Sequence, residues 1–136
     1  MSSFVDTNVL VYAFDRSAKH KRTVALKLLE SADLDFVISS QVLSEFYVAT
    51  TRKLDPSLTH DEAVHAVGLL RTLPVVALDE SLVAASMETA SIVAISLWDA
   101  QIIEAAARAG CSELLTEDLN DGQIISGVVV KNPFSV

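Results

Sequence analysis

The chain has 136 residues, 51% of them hydrophobic, and a mean hydropathy of +0.41, which favours a single domain over residues 1–136 with one apolar core. It contains no apolar run of about 18 residues, no secretory signal and one cysteine, so we expect a cytoplasmic protein without a membrane span. The net charge of −8 argues against a surface that binds nucleic acid through phosphates alone, because such surfaces are usually basic.

Short apolar runs alternate with stretches of helical periodicity along the chain. In chain order, strands are predicted at Ser3–Asp6, Phe36–Ser39, Val75–Leu78, Glu113–Leu115 and Val128–Lys131. The helices that fill the gaps are predicted at Asn8–Phe14, Ala18–Ser31, Gln41–Arg52, Asp61–Leu73, Ser81–Ile92 and Asp99–Ala109. Strands that are mostly apolar are typical of a parallel sheet covered on both faces. The alternation therefore predicts an α/β fold, with three layers (α/β/α) and a mostly parallel central sheet.

At the starts of two of these helices, a hydroxyl residue is followed three positions later by an acid. The pairs are Thr59 with Glu62 and Ser96 with Asp99. Both pairs are typical of capping boxes. Gly110 follows the last predicted helix, at a position where glycine favours the left-handed conformation that ends a helix.

Four acidic residues follow predicted strands or lie near the start of the next helices: Asp6, Glu45, Asp99 and Asp118. Taken singly, each has an ordinary interpretation as a helix cap, a turn residue or a surface acid. In a parallel sheet, however, these positions face one crevice, where carboxylates about 5 Å apart repel by roughly 3 kcal/mol per pair. Such a cluster requires cations or protons. The hydroxyl and amide residues beside it, Thr116 and Asn8, favour Mg²⁺ or Mn²⁺ over zinc.

The remaining polar motifs are less specific. Five basic residues are concentrated in one short stretch: Arg16, Lys19, Lys21, Arg22 and Lys27. They form either a solvated loop and helix start or a patch that contacts phosphate or a partner. His60 and His65 lack metal-site spacing and are interpreted as solvent-facing, and Trp98 as core packing rather than a base-stacking platform. There is no C-x-x-C, G-x-S-x-G or P-loop motif, which argues against zinc, nucleophilic and nucleotide-cradling chemistry.

At these acids the chain resembles the PIN-domain ribonucleases, and most closely the VapC-type toxins of type II toxin–antitoxin systems. The resemblance covers essentially the whole chain, and its motifs occur in the same order as in the family. The segments that carry it are Phe4–Leu10, Ser39–Phe46, Ser96–Ala100, Leu114–Leu119 and Val128–Phe134.

The resemblance implies a PIN fold and a metal-dependent endoribonuclease that hydrolyses RNA phosphodiester bonds. It implies that the four acids hold one or two Mg²⁺ or Mn²⁺ ions, with Asn8 and Thr116 supporting the site and Asp121 as a candidate fifth acid. We expect Asp6 to be the central ligand. The family further implies a homodimer and a small antitoxin protein as partner.

Two other functions stay open. One is a non-catalytic PIN-like module that binds RNA or serves as a scaffold. The other is a metal-dependent α/β phosphatase or phosphotransfer domain, which normally has a second Asp two residues after the first. Here that position is Asn8, so the motif disfavours the second alternative.

Overall fold

The structure is a computed structural model that describes residues 2–32 and 34–135. Its strands are β1 (Ser2–Val5), β2 (Asp35–Ser39), β3 (Val75–Val76), β4 (Glu113–Leu115), β5 (Ile124–Ile125) and β6 (Val128–Lys131). Its helices are α1 (Thr7–Tyr12), α2 (Lys19–Leu29), α3 (Ser40–Arg52), α4 (His60–Leu70), α5 (Glu80–Val93) and α6 (Leu97–Arg108). The predicted α/β alternation is confirmed, with helix ends that differ from the predictions by a few residues.

The sheet has the order β3-β2-β1-β4-β6-β5, and all neighbours are parallel except β5 and β6. From β1 the chain adds β2 and β3 on one side, and β4 and β6 then continue on the other. Right-handed crossovers that run in opposite directions place their helices on opposite faces. In agreement, α3 packs on β2 beside α1 and α4, while α6 packs on β2, β4 and β6 together with α5. The strand order reverses between β1 and β4, which is where open α/β sheets form a crevice.

Two strands differ from the sequence-based prediction by more than one residue at an end. The strand predicted at Val75–Leu78 ends at Val76. The backbone N–H of Leu78 donates a hydrogen bond to Oγ of Ser40 (2.9 Å) and not to a neighbouring strand. The short strand β5 was not predicted. It pairs with β6 through a two-residue turn in which Ser126 (φ 51°) and Gly127 (φ 79°) both have positive φ, as in the tight hairpins that match sheet twist.

The core lies on both faces of the central strands. Its largest fully buried side chains include Phe4 of β1, Ile38 of β2, Phe46 of α3, Ile103 of α6 and Leu114 of β4. At roughly 2 kcal/mol for each buried large apolar side chain, these contacts dominate the stability of the fold. Within the described residues, no single helix is long and apolar enough to span a membrane; α5 and α6 meet the criteria only as a pair bent by 115°.

Helix ends follow most of the predicted signals, but the capping box predicted for Ser96 and Asp99 forms only the bond from the Asp99 N–H to Oγ of Ser96. Thr59 and Glu62 form the complete capping box of α4. At the end of α6, Gly110 (φ 73°) donates to the carbonyl of Ala107, and Cys111 donates to the carbonyl of Ala106. This pair of bonds is the Schellman motif that a left-handed residue after a helix makes possible.

Replacing Gly110 and Gly68 separately by Ala should change stability in opposite directions. A Cβ at either position meets no atom within 4 Å, so only the backbone differs. Gly110→Ala should lower the free energy of unfolding by about 1 kcal/mol, because the left-handed conformation disfavours a side chain. Gly68→Ala, inside α4, should raise it by up to about 1 kcal/mol. Urea unfolding of both variants measures this, and equal shifts would contradict the assigned backbone conformations.

Candidate acidic site

A cavity of about 580 Å³ opens at the carboxyl edge of the sheet, beside the point where the strand order reverses. Asp6 follows β1 and caps α1, and Glu45 lies in the second turn of α3. Asp99 lies in the first turn of α6, and Asp118 follows β4. All four acids line this cavity, although they come from four separate parts of the chain.

Asp6 is the most deeply buried of the four acids, with 5% of its surface exposed. One carboxylate oxygen accepts a hydrogen bond from the backbone N–H of Thr7 (2.7 Å), and the other accepts from Oγ1 of Thr116 (2.8 Å). Burial raises the pKa of Asp6 from 3.8 to about 7; the two hydrogen bonds lower it, and the charges of Asp118 and Glu45 raise it. Without a cation, Asp6 therefore titrates near neutral pH.

The hydroxyl of Thr116 links three parts of the site. Its Oγ1 donates to Asp6 and accepts hydrogen bonds from Nδ2 of Asn8 (3.1 Å) and from the backbone N–H of Asp118 (3.1 Å). A hydroxyl donates once and accepts twice, so the full capacity of this group is used. Nδ2 of Asn8 also donates to Oδ2 of Asp118 (3.0 Å). The structure thus places Asn8 and Thr116, the two predicted supporting residues, in direct contact with the acids.

Glu45 is positioned by two residues that the sequence analysis did not single out. Oγ1 of Thr7 donates to Oε1 of Glu45 (2.9 Å), and Nε2 of Gln41 lies 3.5 Å from Oε2. Each has a local signal: Thr7 adjoins Asp6, and Gln41 precedes Glu45 by four positions and therefore lies on the same face of α3. A hydrogen-bonding residue one helical turn from a site acid is the pattern that would have found Gln41.

Asp99 enters the cavity from the start of α6. Ser96 caps this helix by accepting a hydrogen bond from the backbone N–H of Asp99 (3.0 Å), and the Asp99 side chain lines the cavity. Partial burial raises the pKa of Asp99, the hydrogen bond with Ser96 lowers it, and the charge of Asp118 raises it. The negative charge of Asp118 therefore makes Asp99 harder to ionise.

The donor set fits a hard cation. The acids, hydroxyls and amide around the cavity offer oxygen ligands, which Mg²⁺ and Mn²⁺ prefer, and a cation would reverse the charge effects that raise the pKa of Asp6. In residues 2–32 and 34–135, no three His, Cys, Asp or Glu side chains lie close enough, as placed, to hold one ion. Glu45 and Asp118 instead accept hydrogen bonds from Thr7 and Asn8, as expected for carboxylates that repel one another.

The other candidate residues lie outside the cavity. Oδ1 of Asp121 accepts a hydrogen bond from the backbone N–H of Asn132 (2.9 Å). Lys21 forms an ion pair with Glu117 (2.8 Å), and Nε of Arg22 donates to the carbonyl of Ala13 (3.3 Å). The basic residues Arg16 and Lys19 are exposed. Among the described residues, Lys53 is the basic side chain that lines the cavity.

The interpretation of Trp98 as core packing is wrong. Its side chain is 62% exposed and lines the cavity next to Asp99. The apolar run before it ends at Ser96, which caps α6, so Trp98 lies at the second position of the helix. At the second position of α6, the Trp98 side chain lies at the rim of the cavity and not in the core.

The PIN domain family model matches residues 3–120, which is most of the chain. Similar solved structures include a toxin–antitoxin complex from Klebsiella pneumoniae (22% identity, TM-score 0.73, covering 98% of this chain and 99% of that one). VapBC2 from Rickettsia felis, bound to a promoter DNA fragment, has 19% identity and a TM-score of 0.67, covering 97% and 98%. VapC20 from Mycobacterium tuberculosis, a sarcin–ricin loop cleaving toxin, has 21% identity and a TM-score of 0.66, covering 82% and 86%. No curated protein sequence matches the chain.

Asp6→Asn should remove a pH dependence of stability that the wild-type protein shows in EDTA. Between about pH 4 and about pH 7 the folded protein keeps a proton that the unfolded chain has lost. The wild-type free energy of unfolding should therefore fall as pH rises across this window, by roughly 4 kcal/mol in total. Asn cannot ionise, so the variant should lose the Asp6 part of this slope in urea unfolding and keep only the part that the raised pKa of Asp99 contributes.

Asp79→Asn is the matched control for this experiment. Hydrogen bonds from the backbone of Leu82 and from the side chains of Arg108 and Ser81 lower the pKa of Asp79 from 3.8 to about 2, so above about pH 5 it is ionised in both the folded and the unfolded state. That variant should be destabilised but keep the wild-type slope. Identical slopes in wild-type protein and Asp6→Asn would contradict the raised pKa of Asp6.

Proposed function

This chain belongs to the PIN domain family, and from that premise we propose that it is a metal-dependent endoribonuclease and the toxin of a toxin–antitoxin pair. The observation that carries the proposal is the cavity lined by Asp6, Glu45, Asp99 and Asp118, with Asp6 buried at its base. The similar structures are toxin–antitoxin proteins, and one of them is a toxin that cleaves the sarcin–ricin loop. These likenesses support the same class of function.

In the proposed site, Asp6, Asp99 and Asp118 would hold a Mg²⁺ or Mn²⁺ ion, and Glu45 would either contribute to a second ion or orient water. The chemistry that such an ion supplies when bound is a water of lowered pKa and neutralisation of charge at the phosphate. Thr116 holds the Asp6 carboxylate by its 2.8 Å hydrogen bond.

Two further residues of the chain hold two of the other acids: Asn8 donates to Asp118 and Thr7 donates to Glu45. Asp99 is carried by the first turn of α6, which Ser96 caps. These contacts bring all four acids to one cavity.

Purified protein should cleave RNA from a mixed pool with Mn²⁺ or Mg²⁺ and not with EDTA. Asp6→Asn and Asp99→Asn should each lower the cleavage rate by roughly 100-fold or more, since each removes a ligand and a charge. Thr116→Val should have a smaller effect, about 10- to 100-fold. Calorimetric titration with Mn²⁺ in the absence of RNA should show a saturable site that Asp6→Asn abolishes.

Asp35→Asn is the control, because Asp35 is exposed at the opposite end of a neighbouring strand. It should leave cleavage and Mn²⁺ binding unchanged. A saturable Mn²⁺ site without cleavage of any RNA, including tRNA and ribosomal RNA, would favour the non-catalytic module instead. Cleavage that survives in Asp6→Asn at matched metal concentration would contradict the assigned ligands.

An apolar cleft between α3 and α4 supports the antitoxin part of the proposal. It is lined by Leu43, Tyr47, Val48, Val64 and Val67, and it adjoins the acidic cavity because Val48 lines both. Val48 is 49% exposed and Val64 is 50% exposed. An amphipathic helix fits such a cleft, and a basic tail on the same partner would be attracted to a chain of net charge −8.

Val64→Asp should prevent co-purification of a small co-expressed protein encoded beside the gene, because a charge in the cleft loses its water when the partner binds. Leu69→Asp is the matched control: Leu69 lies on the same helix, is 61% exposed and does not line the cleft. Both variants should cleave RNA as the wild type does. If both variants retain the partner equally, the cleft is not its binding site.

Homodimerisation and a cytoplasmic location complete the proposal. Met87 and Ile92 on α5 are apolar and exposed, 58% and 76%, and each is a candidate contact in such a dimer. Sedimentation equilibrium over a range of protein concentrations measures the oligomeric state directly.

A further inference from the structure

Trp98 is the one tryptophan of the chain, and its side chain is 62% exposed at the acidic cavity. Large aromatic side chains are usually well buried, and leaving this ring in water forgoes a sizeable hydrophobic gain. Ile102, one helical turn further along α6, lines the same cavity and is 3% exposed. The ring of Trp98 therefore belongs to the rim of the cavity, above a buried apolar wall.

The backbone that carries this ring is fixed by buried amides. Nε2 of Gln41 donates to the carbonyl of Trp98 (3.2 Å), and Nε2 of Gln101 donates to Oε1 of Gln41 (2.8 Å). Gln41 and Gln101 are 7% and 2% exposed, so breaking these bonds would strand buried polar groups. An exposed aromatic ring on an immobile backbone loses little conformational entropy when it binds a ligand.

The charge around the cavity restricts what binds there. Among the described residues, the cavity is lined by five acids and by one basic residue, Lys53. The acids are Asp6, Asp15, Glu45, Asp99 and Asp118. Phosphate contacts to basic residues, which normally supply most of the affinity for nucleic acid, are therefore scarce. Stacking of a base on an aromatic ring needs no charge and contributes roughly tenfold or more in affinity per base.

We propose that Trp98 is a stacking platform for an unpaired nucleobase of the RNA, next to the phosphate that the acids engage. This inference rests on the proposed ribonuclease function and deepens it by assigning a residue that selects the substrate. Bases in a duplex are already stacked on their neighbours, so the platform favours single-stranded or looped RNA. Every base has a π-face, so Trp98 discriminates unpaired from paired RNA and not one base from another.

The single tryptophan allows a direct test by intrinsic fluorescence. The probe is a short 2′-O-methyl oligoadenylate, added with Mn²⁺ to the Glu45→Gln protein, which keeps the three proposed ligands of the first ion and lacks the acid proposed to orient water or to contribute to a second ion. Tryptophan emission should be quenched in a saturable manner by this probe, but not by an abasic oligomer of equal length or by a duplex. In a parallel titration that follows a labelled probe by anisotropy, Trp98→Ala should weaken binding about tenfold or more, and Trp98→Phe should weaken it less.

The control is Ile124→Ala, which removes another exposed apolar side chain from outside the cavity and should leave binding unchanged. In active protein, Trp98→Ala should raise KM for unpaired RNA more than it lowers kcat. Metal-dependent cleavage with unchanged KM and unchanged binding in Trp98→Ala would overturn the platform and leave the nuclease intact. Absence of cleavage from wild-type protein with every metal and RNA would overturn the proposed function itself.

A fluorescence shift that depends on protein concentration alone, with no response to the oligonucleotide, would also overturn the inference. That result would assign Trp98 to a contact between two copies of the chain.

Discussion

Thr116 donates a 2.8 Å hydrogen bond to the buried carboxylate of Asp6. This bond links the residues that follow β4 and β1, the two neighbouring strands between which the strand order reverses. Removing Asp6 from water raises its pKa to about 7, because burial penalises the charged form of the carboxyl group. Hydrogen bonds from Thr7 and Thr116 offset part of that penalty, and the charges of Glu45 and Asp118 increase it. A site that is strained in this way at neutral pH is stabilised by a cation, which is the property that a metal-dependent enzyme uses.

A second group of contacts holds the loop after β4 against α1. Glu117 accepts hydrogen bonds from the hydroxyl of Tyr12 (2.6 Å) and from Nζ of Lys21 (2.8 Å). The ammonium group of Lys21 also lies 4.8 Å from the centre of the Tyr12 ring. Glu117 stands between Thr116 and Asp118 in the chain, so this cluster fixes the backbone that carries both. The position of Asp118 thus depends on contacts made outside the cavity.

Regular sequence patterns predicted most of the fold, because the apolar run of a strand and the periodicity of a helix are each visible in a short segment of the chain. Local sequence also placed the four acids, since each adjoins a strand end or a helix start. What it could not predict depends on contacts between distant residues. Lys21 pairs with Glu117, 96 positions away, so the basic stretch, whose sequence left a solvated loop and a contact patch both open, includes a residue that stabilises the fold. Trp98 follows an apolar run, and only the cap at Ser96 and the packing of α6 direct its ring to the cavity rim.

The excess of acids in the cavity couples metal, RNA and partner in the proposed function. Phosphate approaches these carboxylates favourably only after a cation neutralises them, so affinity for RNA and affinity for divalent metal increase together, as linkage requires. A basic segment of a partner would neutralise the same carboxylates that a metal ion needs. Partner and metal would therefore oppose each other at Asp6, whereas the proposed base stacking at Trp98 would involve no charge. Inhibition by such a partner would consequently act on the reaction through metal binding, even where the RNA retained a contact with the cavity rim.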